Sequence, residues 1–184
     1  MATALEAALL RRSSSKVTDA APDDEALMIL LEGAARVADH ASLRPWRLIA
    51  LRGSARERLG AALVGAAGAE GDAATKLAGK PLRAPLLLAV VVVTTPGHAK
   101  VPEWEQEASA SGVAHLLSLL LDEAGWGVMW RTGPHTRHPL VADMHGLAAN
   151  ERLLGWLYVG GVPAGRRAGR HGHPIAAARL TTLD

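Results

Sequence analysis

The chain has 184 residues, 49% of them hydrophobic, with no Phe, one Tyr, five Trp and no Cys. That length suits a single domain with a real core. The absence of Cys excludes disulfides, thiolate metal sites and a cysteine nucleophile. Twenty basic residues against eighteen acidic ones leave a formal charge of only +2. The isoelectric point near 9.4 is therefore no argument for nucleic acid, because nothing titrates between His and the Tyr and Lys groups.

In chain order, residues 3–12 read as a helix running into Arg11-Arg12, followed by the polar link Ser13–Asp19. A second helix opens near Pro22-Asp23-Asp24-Glu25, with acids suited to its N-terminus. Its apolar positions Leu27, Leu30, Leu31, Ala34 and Ala38 keep the helical period. On that helix Arg36 and His40, four residues apart, would share a side. Trp46–Leu51 predicts a strand, and Ser54-Ala55-Arg56-Glu57 has the pattern of a capping box opening a helix to Ala67. A short helix is expected around 72–79.

Leu86–Thr95 is a continuous Leu/Val run, the pattern of a strand covered on both faces. A long helix runs from Pro102 to Ala124. Its Leu116-Leu117 and Leu119–Leu121 stretch is apolar nearly all round, so it must be buried on several sides. Homodimerisation through this helix is the simplest cover. Gly127–Thr132 and Leu153–Gly160 read as strands with a short helix, Thr136–His145, between them; residues 163–184 form an irregular Arg/Gly/Pro-rich tail. The alternation argues for one α/β domain over 1–184 with helices on both sheet faces. The longest apolar run, Pro85–Val93, is far short of a membrane span. The N-terminus does not have the order of a signal peptide, and a soluble, cytoplasmic protein is expected.

Several groupings could carry chemistry. Arg11, Arg12 and Ser13 form a compact set of phosphate-binding donors. Trp130, Arg131 and Thr132 lie before Gly133-Pro134 at a strand's C-terminal end, where α/β sheets bind ligands. Asp39-His40-Ala41-Ser42 lacks the turn a serine nucleophile needs. His135 and His138 could share a helix face, but no third ligand is spaced to join them. The dinucleotide and Walker A glycine patterns are absent, and the Arg-rich tail lacks the interleaved aromatics of a single-strand binding surface.

The order of Arg11-Arg12-Ser13, Ala35–His40, Ser42–Arg47, Val101–Glu107 and Trp126–Gly133 resembles the nitroreductase family, specifically its short bacterial branch. The resemblance covers about residues 4–162. It implies an α+β, three-layer fold with a central mixed sheet flanked by helices and a long central helix at a dimer interface. It also implies FMN bound between two subunits. Arg11, Arg12 and Ser13 would hold the phosphate and ribityl end, with Arg36 and His40 as further contacts. Trp130, Arg131 and Thr132 would be a last segment reaching across the interface.

The implied reaction passes hydride from NADH or NADPH through flavin N5 to an electron-poor small molecule, by a ping-pong scheme with no catalytic side chain and no metal. A flavin-binding module without turnover is the alternative. The sequence departs from the family in Arg44, which replaces a Gln before Pro-Trp, and in Val17, which replaces an aromatic residue. The tail would wrap the partner subunit.

Overall fold

The computed structural model describes residues 3–165 and 179–183. His171, His173 and most of the tail lie outside them, so the expected wrapping of a partner does too.

The strongest strand signal becomes the middle of the molecule. β2 (Leu86–Val93) pairs antiparallel with β1 (Trp46–Leu51) and with β4 (Glu151–Gly161), and β4 pairs antiparallel with β3 (Trp126–Arg131), giving the order β1-β2-β4-β3. The alternation of helices and strands suggested α/β; antiparallel ladders make the fold α+β. Among the described residues, the one parallel pairing is an isolated bridge between Ser13 and Val128.

Side chains alternate across a strand, and β2 uses both faces. Leu86, Leu88, Val90 and Val92 enter a core shared with α2 (Asp24–Ala34) and α5 (Glu103–Glu123). Leu87, Ala89 and Val91 enter a second core with α3 (Ser54–Ala67) and α6 (Pro139–Met144). This is the expected three-layer arrangement.

Local signals succeed where the cap is in the sequence. Asp23 caps α2, accepting from Ala26 N at 2.8 Å. In α1 (Ala4–Leu10) the Thr3 hydroxyl and Glu6 carboxylate form a reciprocal capping box. The box expected at Ser54 does not form: Ser54 is already inside α3, and Gly53 precedes it without a side-chain cap. α4 (Gly71–Ala78) fills the predicted short helix.

The helix expected through His40 ends at Ala34, because Val37 turns in to pack on α5, where a Cβ on Gly112 would meet Val37 Cγ2 at 2.5 Å. Arg36 and His40 therefore share no helix face. His135 and His138 precede α6, with His138 capping it at Leu140 N, so they share none either.

In α5, Val113, Ala114, Leu117 and Leu121 are fully buried and Leu116 and Leu120 partly so, covered largely within one chain. Uncovered apolar surface lies on α1 and α2, where Leu5, Leu9, Met28 and Ile29 are all more than half exposed, and at Trp104 in the first turn of α5. No helix among the described residues is long and apolar enough to cross a membrane.

Candidate functional site

β3 is an edge strand, and the segment after α1 lies against only part of it. Ser14 N donates to Val128 O at 2.8 Å, and Thr18 N donates to Gly161 O at 2.8 Å. This close approach requires residues without side chains beneath it. A Cβ at Gly127 would lie 2.8 Å from Val17 Cγ1, and one at Gly160 would lie 2.7 Å from Thr18 O. Val17 is thus a packing residue over two glycines, which gives the departure from an aromatic there a steric reason. From Met129 onward the outer edge of β3 has no strand neighbour among the described residues.

Two clefts meet at that free edge. On the α5 side a cleft of about 110 Å³ is lined by Arg11, Ser13, His115, Ser118, Val128 and Trp130. The His115 ring stands edge-on to Trp130, with centroids 5.0 Å apart. Ser118 is already committed, its hydroxyl donating to Ala114 O at 2.7 Å. Trp130 Nε1 and Ser14 Oγ are buried with no hydrogen-bond partner within the described chain. Buried polar groups are rarely left so, and both lie beside the Arg11–Ser13 segment or the cleft it lines.

Alternation sends Arg131 to the other sheet face, where its guanidinium sits over the Tyr158 ring at 5.2 Å. Thr132 is exposed just past the strand. Arg12 is half-buried at the start of the Ser13 segment.

The other two predicted contacts are elsewhere. Arg36 is exposed after α2, and His40 Nδ1 meets Glu105 Oε2 at 2.9 Å, at the first turn of α5. The loop that follows is strained: Ala41, Ser42 and Arg44 have φ of 61°, 53° and 48°. Non-glycine residues adopt such angles at a cost, and they cluster at functional sites. Arg44 N is held by Asp39 Oδ2 at 2.7 Å.

Glu105 and Ser118 stand thirteen residues apart on one straight element, so at 1.5 Å per residue roughly 20 Å separates His40 from the Arg11 cleft. The structure thus brings Arg11, Ser13 and Trp130 together in one chain and leaves Arg36 and His40 apart from them. The segment expected to cross the interface, Trp130–Thr132, lines the same chain's clefts.

His115 and Ser118 escaped the sequence reading. Their signal was present as two polar residues, three apart, interrupting a Leu-rich helix. The Val101–Glu107 motif also has a concrete role. Gln106 is buried, accepts from Thr95 N at 2.7 Å and donates to Val101 O at 2.9 Å and Thr95 O at 3.2 Å, pinning the loop that leads into α5.

The model of the family described as "Nitroreductase family" matches residues 8–161. The chain belongs to the nitroreductase family. It is 37% identical over 160 residues to the Escherichia coli (strain K12) protein named "Putative NAD(P)H nitroreductase YdjA", covering 85% of this chain and 87% of that one. Among solved structures it is similar to a nitroreductase-like family protein from Bacillus cereus, with a TM-score of 0.84 and 22% identity over 100% of this chain and 97% of that one. It is also similar to the FMN- and NADPH-dependent nitroreductase NfnB from Sphigopyxis sp. strain HMH, with a TM-score of 0.70 and 19% identity over 96% and 97%. These likenesses establish the nitroreductase fold over nearly the whole chain.

Proposed function

We propose that this family member is an FMN-dependent oxidoreductase, working as a homodimer, that carries hydride from NADH or NADPH to an electron-poor small molecule such as a nitroaromatic or a quinone. The observation that carries the reading is the gathering of Arg11, Ser13, His115 and Trp130 at the free edge of β3, with Trp130 Nε1 and Ser14 Oγ beside it lacking a partner among the described residues. These residues fit FMN. A guanidinium and a hydroxyl suit a dianionic phosphate, and an open strand edge offers main-chain donors and acceptors to a flat heterocycle.

When bound, FMN supplies hydride acceptance and donation, so the chain needs no nucleophile of its own. Arg11, Arg12 and Ser13 would bind the phosphate. Trp130 and Thr132 would orient the ring along β3, and the Arg36–His40 segment of a second copy would close the site from the other side. The names of the E. coli relative and of NfnB, which include NAD(P)H or FMN, support the donor and the cofactor. A cytoplasmic location goes with this reading.

The test is the visible absorbance of the protein incubated with FMN and desalted. Retained flavin is expected, and a colourless protein refutes the proposal. Anaerobic NADH or NADPH should then bleach the colour. Retained flavin that neither donor bleaches would make the protein a flavin-binding module without turnover.

A further inference from the structure

The larger of the two clefts, about 290 Å³, lies on the sheet face opposite the Arg11 cleft. Trp130, Arg131, Thr132 and Gly133 help to line it, so it is part of the flavin and acceptor site proposed above. Part of its wall is the indole of Trp156, on β4, which pairs with Arg131 across the ladder.

That indole is held from outside the cleft. Trp156 is buried, and its N–H donates at 3.0 Å to Nε2 of His145, a buried residue at the C-terminal end of α6. The two ring centroids are 5.9 Å apart. On its other side the imidazole meets Val141 O through Nδ1 at 2.7 Å. An indole nitrogen can only donate and a carbonyl can only accept. The imidazole is thus fixed in one neutral tautomer, with its lone pair on the indole N–H. A proton added at Nε2 sets N–H against N–H, and the bond is lost. The indole N–H is then buried without an acceptor, a costly state. Leu59, Leu63 and Val141 are buried in the same core as Trp156, whose open side is the cleft.

The surroundings delay that proton without forbidding it. Burial chiefly pushes the imidazole below its ordinary 6.5, the bond to Val141 opposes this, and Arg47 on β1 adds to the lowering. Arg47 is itself gripped by Glu151 at the start of β4. Asp143 on α6 is exposed, and α3 brings Leu59 and Leu63 to this core. Burial keeps the Tyr158 phenol protonated. Across the indole, the cleft is lined by Lys80, Arg83, Arg131 and His135 and by no carboxylate. Proton uptake therefore belongs to mildly acidic solution, below pH 6.5.

We propose that His145 is a positioning residue for this site: it holds the Trp156 indole in the wall by accepting its N–H, and on taking up a proton it releases the indole into the cleft. The consequence for acceptor binding rests on the flavin reading; the movement of the indole does not.

Heteronuclear NMR of the full chain follows the indole, whose Nε1–H signal is identified by its loss in Trp156→Phe. Its protection from solvent exchange should fall at least tenfold between pH 8 and pH 5. In His145→Gln, whose amide oxygen can accept the same N–H but does not titrate, protection should stay constant. Steady-state kinetics of the FMN-loaded chain with menadione, a quinone without a titratable group, give the second reading. Over the same range the wild-type menadione KM should rise about fivefold relative to that of His145→Gln, the scale of one lost hydrogen bond, with the ratio of kcat values unchanged. An indole that stays protected to pH 5 in wild type, or that loses protection equally in His145→Gln, overturns the proposal. A KM ratio constant with pH overturns the positioning role even where the indole moves. A chain that takes up no FMN, or holds it without turnover, refutes the oxidoreductase function, and the indole signal alone then decides the role of His145.

Discussion

Gly155 sustains the end of β3. It has φ of +133° at the register shift between Val90 and Val91, and a Cβ there would lie 2.5 Å from Arg131 O and 2.8 Å from Trp130 Nε1. Gly155→Ala should cost about 2–4 kcal/mol, through backbone strain and overpacking, read as a lower urea midpoint. At the proposed phosphate site, Arg12→Ala should weaken FMN binding by ~1.5–3 kcal/mol, the value of a lost charge-assisted bond. Unchanged affinity would remove Arg12 from the clamp.

His145 and Glu151 both contribute to the pH response. His145 Nε2 accepts from Trp156 and Nδ1 meets Val141 O at 2.7 Å, so the ring is neutral with its proton on Nδ1. Burial lowers its pKa below the ordinary 6.5. The unfolded chain therefore takes up this proton first, and stability falls as pH drops from 6.5 through the folded value. Glu151 is held below its ordinary 4.5 by the two-pronged Arg47 contact at 2.6 and 2.7 Å. Its contribution persists above pH 4.5 and is lost as pH falls further. Urea midpoints measured from pH 8 to 3 should decline in two stages, and Glu151→Gln should flatten only the lower one.

At the scale of elements, α5 organises its surroundings through its first turns. Glu103 pairs with Arg152 at 2.8 Å, Glu105 with His40 and Glu107 with Arg137 at 2.8 Å, while Gln106 faces inward. Their costs should differ sharply. Gln106→Ala strands buried backbone groups and should cost about 2–4 kcal/mol. Glu105→Gln breaks an exposed pair and should cost under about 1 kcal/mol while loosening His40. Thermal melts of the two variants check this.

The elements were legible because their patterns are long. The Leu/Val run at 86–93 and the helix from 103 to 123 are each longer than the errors at their ends. The loops were not. Periodicity through Ala38 hid the turn at Ala35, because a contact between Val37 and Gly112, far apart in sequence, decides it. The site was half legible. Arg11, Ser13 and Trp130 gather within one chain, whereas the motif order implied that Trp130 reaches across an interface; alternation in the predicted strand already parts Trp130 from Arg131, but nothing local announces the clefts on either side. Lys80 and Arg83, in a stretch read only as Gly/Ala/Lys-rich, gave no sign of their cavity.

At the scale of the molecule, α1 has no buried residue, and Leu5, Leu9 and Ile29 are 64–68% exposed, with Trp104 at 70%. Patches of this kind mark interaction surfaces, and a second copy is the proposed cover. Leu9→Lys combined with Ile29→Lys should yield a monomer by sedimentation and lose FMN with the partner. A stable dimer would move the interface elsewhere.

The length of α5 carries a genetic consequence. If Arg11 of one copy and His40 of the other serve the same flavin, two different defects can repair each other. A mixed dimer of an Arg11→Ala chain and a His40→Ala chain concentrates both lesions in one site and leaves the other site wild type. Unfolding and refolding the two colourless variants together should bring the yellow back. Two half-sites within a single chain would leave the mixture pale.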